Sequence, residues 1–303
     1  MRGIFYNSKE SLCSIWESGK MCYDALNKSG KFTLDYSEEK KLDTSYDFAV
    51  FNQHNTVNNW MTFEQIHAFG KPTFCIVTEV SFNQSPIYGI PPFFQHYIVL
   101  DPTIKESHNI HGFGRPLEDF DNLKQPYIDR EIPKIGSFGF ATHGKDWHKI
   151  IECVQNEFDN AEIYFNIPQG TYIPNSMHNE LINNIYSTII KPGIKLTVTH
   201  DNMSKYELMQ FCSQNTINCF FYNREHMFNS GLSAVTDQAI ASGRPLLVTK
   251  DRTFRHIHSY LDYYPNVSLK EAISNSQPTV LKMKLAWSSA NFLLKFENII
   301  FEE

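Results

Sequence analysis

The sequence predicts an α/β protein made of two Rossmann-like domains, and two observations lead to this fold class. Short apolar segments alternate with helix-forming segments along the chain, which is typical of parallel sheets whose strands are connected by helices. The chain has 303 residues, enough for two domains of about 150 residues that each bury a core. A polar stretch with several prolines ends at residues 125–133, which places the linker there and predicts domains over 1–130 and 131–280.

The first half of the chain predicts a sheet of about five strands. After a strand at 3–7, a helix over 13–28 carries apolar and small residues at helical spacing, so one of its faces is buried. The remaining strands are expected at 32–36, 48–51, 73–80 and 97–100. Ligands bind beyond the carboxyl ends of the strands in sheets of this kind, so we expect functional loops at 8–17, 52–59 and 79–92.

The second half repeats the alternation. It begins with a strand at 134–140 and a helix at 145–158 that has one apolar face. Further strands are expected at 162–166, 195–199, 219–222 and 246–249, with helices at 204–212 and 234–242. Gly243 is the usual left-handed residue that ends a helix. A last helix is predicted over 280–300 from four apolar residues at roughly helical spacing: Leu281, Leu285, Phe292 and Phe296.

Composition and charge narrow the class of protein. Apolar residues make up 42% of the chain, which excludes wholesale disorder. The net charge is −6, whereas a general nucleic-acid binder is normally basic. The six cysteines are scattered without a C-x-x-C pair, so we expect reduced thiols. With neither a signal-peptide core near Met1 nor an apolar run long enough to span a bilayer, the sequence predicts a soluble, cytoplasmic protein.

One stretch, at 222–250, combines a loop of small residues with a helix. The loop contains Ser230, Gly231 and Ser233, and it leads into the helix predicted at 234–242. Backbone N–H groups at a helix N-terminus attract a diphosphate, and glycine lets the ligand approach the backbone closely. The alternative is an ordinary helix that a serine side chain caps. Both interpretations stay open on this stretch alone.

Two segments resemble the GT-B glycosyltransferases. The turn at 242–245, Ser-Gly-Arg-Pro, is similar to the one that closes their nucleotide-sugar motif, and 135–147, IGSFGFATHGKDW, is similar to the start of their second domain. The resemblance implies two Rossmann-like domains that face each other across a cleft, with the donor mainly on the second domain. It also implies that a C-terminal helix at 281–303 crosses back to the first domain. Gln238 and Ser230 occupy the positions of the two glutamates that many retaining members carry.

The resemblance also implies which residues bind the donor. No metal and no cofactor is expected, because cations and backbone dipoles stabilise the diphosphate leaving group and the nucleotide-sugar is a co-substrate. Lys145 and Arg224 are the candidate cations, with Arg255 as a third; each is otherwise a surface charge. The donor-binding candidates are Phe138, Gly139, Lys145, Arg224, Ser230, Gly231, Leu232, Ser233, Asp237 and Gln238.

An inverting reaction needs a base in the first domain to take the acceptor proton. Glu79, Glu17 and His54 are the candidates because each follows or ends a predicted strand, although the pattern around each residue alone favours a structural role. The predicted function is transfer of a sugar from a nucleotide-sugar to a glycan, a small molecule or a modified nucleic acid. The alternatives are a sugar-nucleotide epimerase of the same fold and a non-catalytic nucleotide-sugar-binding protein.

Two further patterns suggest metal binding, and we reject both. Asp119-Phe120-Asp121 spells the D-x-D of metal-dependent glycosyltransferases of a different fold, but no strand leads into it. His108 and His111 have no cysteine or carboxylate close enough in sequence to complete a metal site. The chain also contains no G-x-S-x-G, no P-loop motif and no G-x-G-x-x-G after its first strand, which disfavours hydrolase, P-loop and nicotinamide chemistry.

Overall fold

The computed structural model describes residues 1–8, 14–54, 62–78, 90, 92–118, 130–170, 173–223 and 231–301. These residues form two compact units. The first unit comprises the described residues of Met1–Glu118, Gly231, Leu232 and the chain from Leu285 onward; the second comprises the described residues of 130–223 and Ser233–Lys284. Most of the predicted linker at 125–133 lies outside the described residues.

Parallel strands and helices alternate through both units. The strands are β1 (Arg2–Tyr6), β2 (Thr33–Ser37), β3 (Phe48–Asn52), β4 (Thr73–Val77), β5 (His96–Val99), β6 (Ile110–Gly112), β7 (Lys134–Phe138), β8 (Ala161–Asn166), β9 (Ile194–Thr199), β10 (Ile217–Phe220) and β11 (Leu246–Val248). The helices are α1 (Ser14–Leu26), α2 (Phe63–Phe69), α3 (Trp147–Glu157), α4 (Asn175–Ser187), α5 (Lys205–Gln214), α6 (Val235–Ser242), α7 (Arg255–His258), α8 (Leu269–Asn275), α9 (Gln277–Ala286) and α10 (Ser289–Phe301).

The first unit contains a six-stranded sheet in the order β2-β1-β3-β4-β5-β6, with every pair parallel. All residues of β3 and β4 are buried, as expected for strands covered on both faces. The prediction of about five strands missed β6, which lies in the stretch that we assigned to polar connecting chain. This strand lies at the edge of the sheet and has only three residues, which are too few to produce an apolar run.

Helix α2 was also missed, although its sequence carries the signals of both ends. Thr62 and Gln65 form a capping box at its start, and Gly70 ends it with a φ of 66°. The helix has only 7 residues, of which Ile66 and Phe69 are buried, so the apolar pattern is too brief to reveal it.

The prediction of one helix over 280–300 was wrong. The structure has two helices, α9 and α10, with Trp287 and Ser288 between them. Trp287 is buried against Gly114, where a Cβ would lie 2.2 Å from the indole ring. The four apolar residues therefore lie on two helices and do not share a face: Leu281 and Leu285 are 46% and 71% exposed, whereas Phe292 and Phe296 are buried.

The second unit has a five-stranded parallel sheet in the order β11-β10-β7-β8-β9. The chain runs outward from β7 through β8 and β9, and then returns to the other side of β7 with β10 and β11. The strand order therefore reverses between β7 and β10. Ligands of doubly wound sheets bind at the carboxyl ends of the strands at such a point, so the segments after β7 and β10 are where a site is expected.

Candidate functional site

Gly139 directly follows β7 and has a φ of 129°, which residues with a side chain rarely adopt. A Cβ at this position would lie 2.4 Å from Lys145 Nζ and 3.3 Å from Val235 Cγ1. The N–H of Gly139 donates to Asn166 O over 3.0 Å, which fixes the chain at the sheet edge. The backbone conformation therefore favours glycine here, and a Cβ would also displace the flexible end of Lys145.

Lys145 reaches this point from the segment between β7 and α3. The N–H of Asn223 donates to Gly144 O over 2.7 Å, and the N–H of Asp146 donates to Phe221 O over 2.8 Å, so this segment is fastened to the chain after β10. Lys145 Nζ lies 5.7 Å from the centre of the Tyr222 ring. The predicted helix start at Lys145 was two residues early, because Asp146 caps the helix and accepts a hydrogen bond from the N–H of Lys149.

The N-terminus of α6 forms the third side of the site. No side chain of the described residues caps this helix, and its N-cap position is Ala234. Ser233 Oγ is instead 3.2 Å from the Tyr222 hydroxyl, and the N–H of Ser233 donates to Thr253 O. Ser233 is thus not the helix cap that one sequence interpretation expected. Gly243 ends α6 in the left-handed conformation, as predicted.

Two parts of the chain that are far apart in sequence therefore meet at one edge of the second sheet. One part contains Gly139 and Lys145, and the other is the first turn of α6. The Tyr222 and Ser233 hydroxyls are hydrogen-bonded to each other next to them. A cation and a helix N-terminus in one place favour an anionic ligand. Sequence reasoning missed Tyr222, although it is the polar-tipped residue that follows the apolar strand β10.

The remaining predicted donor-binding residues of the second unit differ in exposure. Asp237 is buried in the first turn of α6. Gln238 is half-buried, and its side chain makes no hydrogen bond to the residues that the structure describes. Phe138 is buried against the rings of Phe211 and Phe220, so its side chain belongs to the core.

Other predicted residues lie elsewhere or outside the described chain. Gly231 and Leu232 are half-buried and group with the first unit. Arg255 donates from its guanidinium to Arg252 O over 2.9 Å, within its own turn. Arg224, Ser230 and Glu79 fall outside the described residues.

The carboxyl ends of β1, β3 and β4 form a second polar edge, in the first unit. Asn52 Nδ2 donates to Asn7 Oδ1 over 2.8 Å and to Ile15 O over 3.0 Å. Gln53 Oε1 and Thr78 Oγ1 are buried without a hydrogen-bond partner among the described residues. Sequence reasoning expected functional loops at this edge, at 8–17 and 52–59, but did not single out Asn7, Gln53 or Thr78, each of which is a polar side chain directly after an apolar strand.

Two of the three candidate bases can be placed at this polar edge. Asn7 Nδ2 donates to Trp16 O over 2.9 Å, so the first turn of α1 lies against the ends of β1 and β3. Glu17 is in that turn; it is exposed and has no ion pair with a described residue. His54 follows β3 by two residues and is half-buried.

In the described parts of the chain, no group of three His, Cys, Asp or Glu side chains is arranged to hold a metal ion. The rings of His111 and His96 approach each other, with 3.2 Å between Nε2 and Nδ1. His108 is exposed in the turn before β6, and the Asp119-Phe120-Asp121 motif lies outside the described residues. Within the same described parts, the helices are too short or too polar to cross a membrane.

Solved structures with the same architecture exist. HepE from Anabaena in complex with UDP is similar with a TM-score of 0.70 and 8% identity over 100% of both chains. WaaB, a lipopolysaccharide outer core galactosyltransferase in its apo form, gives a TM-score of 0.62 and 10% identity over 100% of this chain and 99% of WaaB. An E. coli structure described as trehalose-6-phosphate bound with UDP-2-fluoro glucose gives 0.58 and 10% over 98% of each chain.

No protein-family model matches the sequence, and no curated protein matches it either. The similar structures are GT-B glycosyltransferases, and they match the two parallel sheets and their helices across nearly the full chain. The fold class predicted from the sequence is thereby confirmed. The chain has the GT-B glycosyltransferase fold.

Proposed function

We propose that this protein is a glycosyltransferase that moves a sugar from a nucleotide-sugar donor to an acceptor. The observation that carries the proposal is the meeting of Gly139, Lys145 and the N-terminus of α6 at the carboxyl edge of the second sheet. That group of residues has the positive charge and the helix N-terminus that attract a diphosphate. The GT-B fold supports the proposal because HepE is described as a complex with UDP.

In the proposed mechanism, the diphosphate of the donor lies between Lys145 and the first turn of α6. Breaking the bond between the sugar and the diphosphate leaves negative charge on the diphosphate, which the ammonium group and the helix N-terminus stabilise. Because protein groups stabilise the negative charge of the leaving group, we propose a reaction that needs no metal. Arg224 is a second proposed cation for the same role.

Gln238 is the proposed partner of the donor ribose, with Asp237 as its neighbour. Its amide has no hydrogen bond to the described residues and it lies one turn into α6, beyond the proposed diphosphate position. An amide both donates and accepts, which suits two adjacent hydroxyl groups. Ser233, Gly231 and Leu232 are proposed to complete the donor contacts, together with Ser230.

The acceptor is proposed to bind at the polar edge of the first unit. Glu17 and His54 lie at that edge, and Glu79 follows β4, whose last residue is Val77. In an inverting reaction one of these groups takes the proton of the acceptor hydroxyl. Single replacements of these three residues, with transfer and donor binding measured separately, identify the base as the one that removes transfer alone.

The first test is calorimetric binding of UDP, together with hydrolysis of UDP-glucose. Lys145→Gln removes one charge-assisted hydrogen bond, worth about 1.5–3 kcal/mol, so we expect UDP affinity to fall by roughly 10- to 100-fold. Lys149→Gln is the matched control, because Lys149 pairs with Glu152 on α3. Equal affinities of the two variants for UDP would refute the proposed diphosphate position.

The products separate the proposed function from its two alternatives. Free glucose and UDP indicate a transferase that uses water in place of its acceptor. An altered sugar indicates an epimerase. Tight UDP binding without turnover indicates a non-catalytic binding protein, which the replacement of the two family glutamates by Ser230 and Gln238 favours.

A further inference from the structure

A cavity of about 180 Å³ lies on one face of the second sheet, toward the amino-terminal ends of its strands. Its lining residues are Lys134, Glu162, Ile163, Tyr164, Lys195 and Thr197. A water molecule takes up about 30 Å³ in the liquid, so the cavity has room for a small ligand. Lys134 and Gly139 stand five residues apart along one extended segment, roughly 16 Å, so this cavity is separate from the candidate donor site.

The register of three strands explains which side chains line the cavity. Lys134 of β7, Glu162 of β8 and Lys195 of β9 are direct neighbours across the sheet, so a carboxylate lies between two lysines on one face. Tyr164 and Thr197 are two residues further along β8 and β9 and share that face. Lys195 and Thr197 are exposed, so the cavity is open to solvent.

The charges around the cavity are not paired with each other. No ion pair joins Lys134 or Lys195 to Glu162 in the part of the chain that the structure describes. Lys134 Nζ lies instead 4.4 Å from the centre of the Tyr164 ring, which also contacts Phe211 at 5.1 Å. Burial and the nearby Arg130 lower the pKa of Lys134, and Lys195 lowers it further, while Glu162 raises it. The cations thus outnumber the single carboxylate, and an anion placed among them is stabilised.

We propose that this cavity binds a phosphate group that carries a proton or an adjacent hydroxyl, held between Lys134 and Lys195 with Glu162 accepting the hydroxyl hydrogen. Lysine ammonium groups donate to phosphate oxygens, and a carboxylate accepts but does not donate. Sulfate carries no proton, so its oxygens cannot donate a hydrogen bond to the carboxylate of Glu162, and the two negatively charged groups repel each other. The site therefore selects phosphate over sulfate, and its ligand is either inorganic phosphate or the phosphate monoester of a polyol.

The test is calorimetric titration of the full chain with inorganic phosphate, sulfate and glycerol 3-phosphate, at constant ionic strength. We expect phosphate to bind at least tenfold more tightly than sulfate. Tighter binding of glycerol 3-phosphate than of phosphate supports a polyol monoester as the ligand, and equal binding supports inorganic phosphate. Absence of phosphate binding, or equal affinity for phosphate and sulfate, overturns the proposal.

Four variants locate the binding site. Lys195→Gln changes an exposed side chain, so the fold is retained, and we expect phosphate affinity to fall at least tenfold. Lys282→Gln on α9 is the matched control and leaves it unchanged. Glu162→Gln supplies a donor and brings sulfate affinity up to that of phosphate. Loss of phosphate binding in Lys145→Gln but not in Lys195→Gln would assign the phosphate to the candidate donor site and overturn the proposal.

Discussion

At the scale of single residues, Gly139 is the position where the candidate site tolerates least change. Its φ of 129° is unfavourable for other residues, and the space that a Cβ would occupy is taken by Lys145 Nζ. The backbone conformation of Gly139 and its contact with Lys145 therefore affect a substitution independently. Any side chain here would displace the ammonium group of Lys145.

Gly139→Ala tests this argument. The strained backbone costs about 1–3 kcal/mol of local stability, and the methyl group displaces Lys145, so we expect UDP affinity to fall at least tenfold. Gly30→Ala is the control, because a Cβ there meets nothing within 4 Å. Calorimetry with UDP measures both variants, and an unchanged affinity in Gly139→Ala would remove this glycine from the donor site.

The buried side chain of His178 leads us to predict how the free energy of unfolding depends on pH. It is buried on α4, and its Nδ1 has no hydrogen-bond partner among the described residues. Burial, and then the nearby His200, lower its pKa below the ordinary value. Protonation is therefore easier in the unfolded chain, so this group costs stability as the pH falls below about 6.5, the unfolded pKa, toward the folded value.

His178→Gln removes that dependence. Between about pH 7 and 5 we expect the unfolding free energy of the variant to fall less steeply than that of the wild type, by at most about 1.4 kcal/mol per pH unit. Urea unfolding at several pH values gives the slope, which is independent of any overall loss of stability from the substitution. Parallel slopes in variant and wild type would contradict this account.

At the scale of elements, the helices are delimited by local hydrogen bonds. Capping boxes begin α2, α5 and α8, and left-handed glycines end α2 and α6. These signals lie within a few residues of sequence, so they act before any tertiary contact forms. Among the described residues, no side chain caps the starts of α4, α6 and α7, and the start of α6 lies at the candidate donor site.

Ser204→Ala tests the cap of α5. The Ser204 hydroxyl accepts from the N–H of Glu207, and losing a helix cap costs about 1 kcal/mol of unfolding free energy. Ser274→Ala is the control: its hydroxyl donates to Lys270 O inside α8, and alanine favours the helix there, so stability stays the same or rises. Denaturant unfolding compares the two, and equal losses would contradict a special role for the cap.

At the scale of the whole molecule, each unit has its own core, and the C-terminus of the chain contributes to the core of the first. Phe292 and Phe296 of α10 pack with residues of α1, β1, β3 and β4. The Phe296 ring lies 4.9 Å from Phe74 and 6.4 Å from Phe48, measured between centroids. The first unit therefore depends on a segment that follows the whole second unit in sequence.

Phe296→Ala measures that dependence. Removing a fully buried ring leaves a cavity, which costs about 3–5 kcal/mol of unfolding free energy. Leu294→Ala, on the same helix, is the control, because Leu294 is 53% exposed and its loss costs less than about 0.5 kcal/mol. Similar losses for the two variants would show that α10 is not held by its aromatic face.

The sequence by itself predicted the strands except β6, the helices α1, α3, α5 and α6, and the fold class, because the alternation of apolar segments and the residues that end helices act over short distances. The elements β6, α2, α4, α7 and α8 escaped prediction. All of them except α4 have at most seven residues, which give too little pattern, and α4 buries only His178, Ile182 and Ile185. The break between α9 and α10 escaped because it depends on Trp287 packing against Gly114, a contact between positions far apart in sequence.

Within the candidate site, sequence resemblance named Gly139 and Lys145 separately. Only the tertiary structure decided that the ammonium group of Lys145 lies where the Cβ of any other residue at position 139 would be. The cavity beside Lys134 was invisible for the same reason. Its lysines and carboxylate lie on three different strands, and only the register of the folded sheet brings them side by side. Local sequence sets the elements, whereas sheet topology sets which distant side chains share a site.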